Sequence, residues 1–575
     1  MKSMQRLVWC AIGVGVLCAA LSLVPTETWA QRFAHPARVR ALDGSIPEAT
    51  LFGALAFRVA LACAALAIPV LVACIVQLRR AERARLSELA VDERPRPSRT
   101  SLLILLVCVA VGALLRVIMA EESLWYDEIS AFLSFAVEGP AVAFGSYAVP
   151  TNHVPMTIAV WASTVLTGSI SELVMRAPAL IAGIASIPAA WFLAREVAPS
   201  DLRDRAAPCA AFLAAIAPIF VVESAEARGY AFVICASLVG AWAWSRAQRA
   251  KSAWHDVLFA CACAFAAWSH PVAVLVPCAA FCLGLWQPRV RAVSALLACT
   301  MTAVLFAPLL GDVLSTRQDY LRTTLGQPSL WSREGFEGFV GLSLSWCLPI
   351  DTLPWIRGTP LASWLVVPPI ALLILFLIGA WRVSCDARFR SARDVMLPFA
   401  LAFLLAICAV PLFGTWIYAR FLLFAVPMSV VVMSMALALV HRPRTRLAIA
   451  TLVTLQCALT LPFFWTKQPI RNAVEIVAVR KQPKDTTLTI GLPDNAVGFY
   501  ALLSGFEATP TGFLGADFDR APRDARFVIV LYPDRLAAET LATLDRDFDR
   551  THRFEGWADW GNGAVEVWER SAARP

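Results

Sequence analysis

The stretch SLLILLVCVAVGALLRVIMAEESLWYDEIS, residues 101–130, decides the class of this chain. Its first two-thirds form one apolar run, and a run of about 17 to 25 residues is what a helix needs to cross a roughly 30 Å hydrocarbon layer. The run ends abruptly on acidic residues, as a span does when it leaves the lipid. The whole chain agrees with this reading: of 575 residues, 59% are hydrophobic and only 16% charged. That composition excludes a soluble enzyme, a disordered chain, a collagen-like chain and a coiled coil, leaving a polytopic helical membrane protein.

Further runs of similar length lie near 7–24, 52–77, 176–194, 207–222, 229–246, 253–268, 271–286, 291–309, 361–381, 395–412, 420–440 and 445–464, which predicts about thirteen spans. Lys and Arg, Arg79, Arg80, Arg83 and Arg85 among them, concentrate in alternate loops, which the positive-inside rule assigns to the cytoplasm. The N-terminus is then inside and the segment after 465 outside, in a cytoplasmic membrane. The net charge of +8 belongs to these loops and calls for no nucleic-acid partner. Lys2, Arg6 and the apolar run ending at Thr28, Trp29 and Ala30 also fit a cleaved signal peptide, which would leave the remaining topology unchanged. The cysteines fall almost entirely in spans, only Cys347 lies in an outer loop, and they form no metal-ligand spacing.

Three regions follow. Residues 1–100 comprise two spans and a basic linker at 78–100. Residues 101–464 form a membrane core with two long outer loops. The first loop has no Lys or Arg between 121 and 175 and holds two apolar stretches, 129–137 and 153–167, expected as helices on or dipping into the outer surface. The second, about 310–360, carries Trp331, Trp346 and Trp355, which suit an interfacial belt or a sugar platform. Residues 465–575 contain 14 Lys+Arg against 16 Asp+Glu and the strand-like runs TLTIGL (487–492) and RFVIVLY (526–532). They predict a small soluble α/β domain with helices at 494–504 and 534–549. Gly561, Asn562 and Gly563 should turn a closing hairpin into AVEVWE. The acidic DRDFDR at 545–550 reads as a solvated helix end, since it lacks the Gly of a calcium loop.

Ionisable residues at the edge of the lipid are costly and mark functional sites. Here they gather at outer span ends: Tyr126, Asp127 and Glu128 in LWYDEIS, Asn152 and His153 in TNHVPM, Arg228 and Tyr230 in EARGYA, His270 in WSHP, and Tyr418 and Arg420 in IYARF. A carboxylate that takes a proton from an attacking hydroxyl, with Arg and His opposite a departing phosphate, suits group transfer from a phosphorylated donor. One base suffices, because a phosphate needs no general acid. Each residue also has a plainer reading, as an interfacial anchor (Arg228, Arg420), a turn cap (His270) or a helix N-cap (Asp127). Two other classes compete: a transporter or flippase of lipid-linked glycans, and a noncatalytic scaffold whose outer domain binds a partner.

In their order along 101–440, LWYDEIS, NHVP, RAPALIAG, EARGYA, WSHP and YARFLLFAVP resemble the GT-C superfamily of integral-membrane glycosyltransferases, specifically bacterial relatives of protein O-mannosyltransferases and aminoarabinose transferases. NHVP departs from the commoner form with two adjacent prolines. The resemblance implies a polyprenyl-phosphate-sugar donor, inverting transfer to a lipid, glycan or protein acceptor outside the membrane, and a base at Asp127 with Glu128 beside it. It implies donor-phosphate contacts by Arg228, His270 and Arg420, a cavity bordered by Tyr126, Asn152, His153, Tyr230 and Tyr418, and, in some relatives, a divalent cation at Asp127 and Glu128.

Overall fold

The computed structural model describes residues 2–85, 96–149, 151–286, 289–315, 367–412, 419–461, 465–491, 496–518, 524–558 and 563–571. Within them the apolar runs fold as helices. In chain order these are α1 (Lys2–Ser22), α2 (Glu48–Arg85), α3 (Arg99–Ala120), α4 (Tyr126–Ala131), α5 (Val154–Thr167), α6 (Glu172–Val197), α7 (Arg203–Ile216), α8 (Tyr230–Ala250), α9 (Ala253–Ser269), α10 (Leu275–Gly284), α11 (Arg289–Phe306), α12 (Val367–Cys385), α13 (Arg390–Leu412), α14 (Val426–Leu439) and α15 (Pro443–Thr460). Where they are described, the expected runs overlap these helices; the run 207–222 is broken at Ala217, and residues 361–366 and 462–464 lie outside the described residues. Among the described residues, however, seven helices are long and apolar enough to cross a membrane by length and composition. The expected helices of the first outer loop are α4, extended by a π-helical turn at Phe132–Ala136, and α5.

Residues 78–100 are not wholly a linker. The helix α2 runs on to Arg85, past Pro69, giving 38 residues and, at 1.5 Å per residue, a length of roughly 57 Å. Its far end is anchored: Arg79, 2% exposed, donates from Nε and Nη2 to the Asp256 carboxylate of α9 at 2.6 and 2.7 Å. At the other end Gly53 and Gly311 lie so close to the backbone of Pro308 and Ala49 that a Cβ on either would collide with a carbonyl oxygen. Arg38 pairs with Asp312 at 2.6 Å. The first two long helices are thus built into the core. Helix α7 stops before Pro218, and Arg116 of α3 donates to the carbonyls of Ala214 and Ala215 there, occupying oxygens that the break leaves without helical partners.

The C-terminal segment opens with α16 (Ile470–Arg480) and continues with β1 (Thr487–Gly491), α17 (Ala496–Leu503), β2 (Thr509–Phe513), β3 (Phe527–Leu531), α18 (Ala538–Asp547), β4 (Phe548–Phe554) and β5 (Val565–Arg570). The sheet order is β2-β1-β3-β5-β4. Strand β1 is parallel to β2 and β3, and β5 is antiparallel to β3 and β4. All five residues of β3 are buried, which is why FVIVL is unbroken rather than alternating. The expected helix at 534–549 is shorter, because Phe548 turns its apolar side chain into the sheet. DRDFDR therefore straddles a helix-to-strand junction, where Arg546 pairs with Asp547 at 2.8 Å. The closing hairpin is present as β4 and β5; Gly563 takes φ +67°, whereas Gly561 and Asn562 lie outside the described residues.

This domain shares a core with the membrane part. Leu124, Trp125, Ile129 and Phe132 pack in one cluster with Ile470, Val474, Phe499 and Tyr500. The hydrophobic residues of LWYDEIS are buried against the tail, not against lipid.

Candidate active site

Asp127 and Glu128 begin α4. Consecutive helical positions point about 100° apart, so neighbouring carboxylates meet different surroundings. Glu128, 1% exposed, accepts from Nε and Nη2 of Arg176 at 2.9 and 2.6 Å, from the Trp125 backbone N–H at 3.1 Å and from the Ala227 backbone N–H at 2.5 Å. Arg176 spends its remaining N–H groups on the carbonyls of Ala120, Glu122 and Ser123. Glu128 is therefore a buried clamp tying α4 to α6 and to the loop before α8. Asp127 points the other way, with 17% of its side chain exposed, and its carboxylate pairs with Arg228 Nη2 at 3.2 Å.

Around that pair the expected residues converge. Arg228 also donates from Nη1 to the Thr151 carbonyl at 2.9 Å. The guanidinium groups of Arg228 and Arg420 each lie 5.8 Å from the Tyr230 ring, and Arg420 lies 5.9 Å from Trp125. The rings of His153 and Tyr230 are 4.9 Å apart, those of His153 and His270 5.6 Å, and that of His270 stands 4.8 Å from Phe421. His153 Nδ1 bonds the Ser269 carbonyl at 2.8 Å. Burial, with Arg228 and Arg420 nearby, pushes the His270 imidazole down to about 3. Burial, then Arg228, does the same to His153, which falls well below its ordinary value. Both rings are neutral at ordinary pH, so the two arginines supply the positive charge.

Two residues stand at the margin of this group. Asn152 donates to the carbonyls of Ala143 and Ser146, both at 2.8 Å, and accepts from the Thr157 hydroxyl at 3.0 Å, which makes it a brace for the loop. Tyr126 is half-buried and donates its backbone N–H to Gln468 Oε1 at 3.0 Å. Tyr418 lies outside the described residues, as do Trp331, Trp346, Trp355 and Cys347.

Sequence reasoning passed over four site residues. Arg176, inside RAPALIAG, is the partner of Glu128. Glu223 and Glu226 precede Arg228, and three ionisable residues within six positions between two apolar runs were a visible signal. Lys467 follows the last apolar run; its Nζ pairs with Glu226 at 2.8 Å. One oxygen each of Glu223 and Glu226 is buried with no hydrogen-bond partner among the described residues. Burial first, then the neighbouring Glu226, raises the Glu223 carboxyl to about 8.

The possible cation at Asp127 and Glu128 does not fit these residues. Glu128 is filled by Arg176 and two backbone N–H groups, Asp127 faces Arg228, and no group of three or more His, Cys, Asp or Glu suited to a metal occurs among the described residues.

Residues 152–311, which include His153, Arg176, Arg228 and His270, match the family model described as dolichyl-phosphate-mannose-protein mannosyltransferase. No curated relative matches the chain. Among solved structures, ArnT from Cupriavidus metallidurans bound to undecaprenyl phosphate is similar at 12% identity and TM-score 0.46, over 82% of this chain and 98% of that one. The Archaeoglobus fulgidus oligosaccharyltransferase in complex with Zn and sulfate is similar at 14% identity and TM-score 0.44, over 75% and 68%. The archaeal oligosaccharyltransferase AglB from the same organism, with an inhibitory peptide and a dolichol-phosphate, is similar at 12% identity and TM-score 0.43, over 83% and 75%. The matched segment contributes His153, Arg228 and His270 to the candidate site, while Asp127 and Arg420 lie outside it.

Proposed function

We propose that this protein is a membrane glycosyltransferase that moves a sugar from a polyprenyl-phosphate donor to a hydroxyl acceptor (a lipid, glycan or protein) on the outer face of a bacterial cytoplasmic membrane, with inversion. The observation that carries the reading is the Asp127–Arg228 pair at 3.2 Å, with Arg420, His153, His270 and Tyr230 gathered beside it. In this reaction Asp127 takes the proton of the acceptor hydroxyl. The oxygen attacks the anomeric carbon from the face opposite the phosphate, and the bond from that carbon to the phosphate oxygen breaks. Polyprenyl phosphate leaves with the bonding electrons, its growing charge met by Arg228 and Arg420, while neutral His270 donates a hydrogen bond. Charge-assisted contacts that strengthen as the leaving group charges favour the transition state over the ground state. Glu128, committed to Arg176, acts as a positioning residue for the base. The donor, the acceptor, the site roles and the orientation with the N-terminus inside all belong to this proposal.

The test uses the purified full chain in vesicles, with undecaprenyl-phosphate-linked sugars as donors. Asp127→Asn should remain folded and lose roughly 100- to 10,000-fold in transfer rate. Near-normal transfer by a folded Asp127→Asn protein refutes the base assignment. Absence of transfer by the wild type across donors and hydroxyl acceptors refutes the transferase.

A further inference from the structure

The Asp127–Arg228 pair joins two separate segments, LWYDEIS and the loop 223–229, and a third segment meets both. Lys467, between α15 and α16, points its ammonium into their junction. It lies 3.7 Å from the centroid of the Trp125 ring, 4.6 Å from that of Trp557 in the tail, and 2.8 Å from Glu226 Oε1. Its backbone carbonyl accepts from Trp557 N–H at 3.1 Å. Trp125 is the residue on which α4 starts, two before Asp127, and Glu226 stands two before Arg228.

We propose that Lys467 is a positioning residue for the Asp127–Arg228 couple, so that the tail domain is a working part of the transferase; this rests on the reading given under Proposed function.

Stability does not explain a buried lysine here. The tail is already held by the Leu124 N–H donating to Tyr500 Oη at 2.7 Å, by Gln468 on Tyr126, by Arg471 on Glu172 at 2.8 Å, and by the shared apolar cluster. Lys467 and Glu226 each keep only 7% of their side chains exposed, and a buried ion pair is generally no more stabilising than apolar residues of the same volume. Burial, opposed by Glu226, lowers the Lys467 ammonium from its ordinary value. What the charge adds is register. It attracts the faces of two indole rings and one carboxylate at once, setting the start of α4 and the loop 223–229 at a fixed separation.

The experiment uses the full chain with Lys467→Met, Lys467→Arg and, as a tail variant remote from the site, Arg526→Met. Lys467→Met should lower kcat about 10- to 100-fold with the donor KM within about threefold, and Lys467→Arg should recover most of the loss. Arg526→Met should leave kcat unchanged. A second readout needs no turnover. In an Asp127→Cys, Cys347→Ser background, a charged, membrane-impermeant thiosulfonate reports the thiolate that Arg228 stabilises. Adding Lys467→Met should slow modification at neutral pH by about fivefold or more. If that variant aggregates, Lys467→Gln takes its place. Unchanged thiol reactivity overturns the proposal whatever the turnover. Slowed reactivity in a chain whose wild type transfers no sugar sustains the positioning role and sinks the transferase.

Discussion

The sharpest structural prediction concerns Arg176→Met. This substitution removes two charge-assisted bonds to Glu128 and leaves a carboxylate 1% exposed with only the Trp125 and Ala227 N–H groups. Stripping one partner from a buried ion pair costs about 3 to 5 kcal/mol, whereas replacing both by apolar residues is far cheaper. Arg176→Met should therefore destabilise the protein by that amount, and the double variant Arg176→Met, Glu128→Leu should regain most of it. Graded SDS unfolding of the detergent-solubilised chain measures all corners of the cycle. Additive single effects, or an Arg176→Met protein as stable as wild type, would refute the clamp. A separate comparison distinguishes the two adjacent carboxylates: Glu128→Gln should cost stability and lower kcat per folded molecule by less than Asp127→Asn does, whereas Asp127→Asn should lower kcat with little loss of stability.

Three further outcomes are expected. Glu223 has its carboxyl raised from 4.5 to about 8, so the folded state holds a proton that the unfolded state has released, and stability should fall as pH rises across that window. Glu223→Gln should flatten this slope in thermal unfolding, and an unchanged slope would count against the burial of Glu223. His270, lowered from 6.5 to about 3, should place no inflection near pH 6.5 in the kcat profile; between about 6.5 and 3 its reluctance to charge should cost stability as pH falls. A histidine limb near neutrality that vanishes in His270→Gln would contradict its enclosure. Gly311→Val should drive a side chain into the Ala49 carbonyl and displace α2, read as faster proteolysis of the 31–47 segment; unaltered cleavage would mean the two backbones separate without cost.

How much of this was legible beforehand depended on the distance over which the information acts. Apolar runs report themselves, because lipid demands about 20 unbroken residues, and the described parts of these runs are helical, seven of the helices being long and apolar enough to cross a membrane. The gathering of Arg228, His270 and Arg420 was legible because each sits at the end of an apolar run. The roles of Asp127 and Glu128 were not, since their difference is a rotation about one helix axis. Arg79 was read as part of a linker because its partner Asp256 is 177 residues away. Lys467 was overlooked for the same reason: it stands 241 residues from Glu226, and no local pattern announces such a partner. The strand β2 escaped notice because TPTGF lacks alternation, its edge position being supplied by β1.

The bonds from Gln468, Arg471 and Tyr500 to residues 121–126 also impose an order on biogenesis. Ribosomal synthesis delivers LWYDEIS, EARGYA and WSHP early, yet the helix carrying the carboxylate finds its final seat only when the last portion of the polypeptide has been made and has folded against it. A chain synthesised only as far as residue 464 would lack these bonds, so the start of α4 is fixed only after the segment 467–500 has been made.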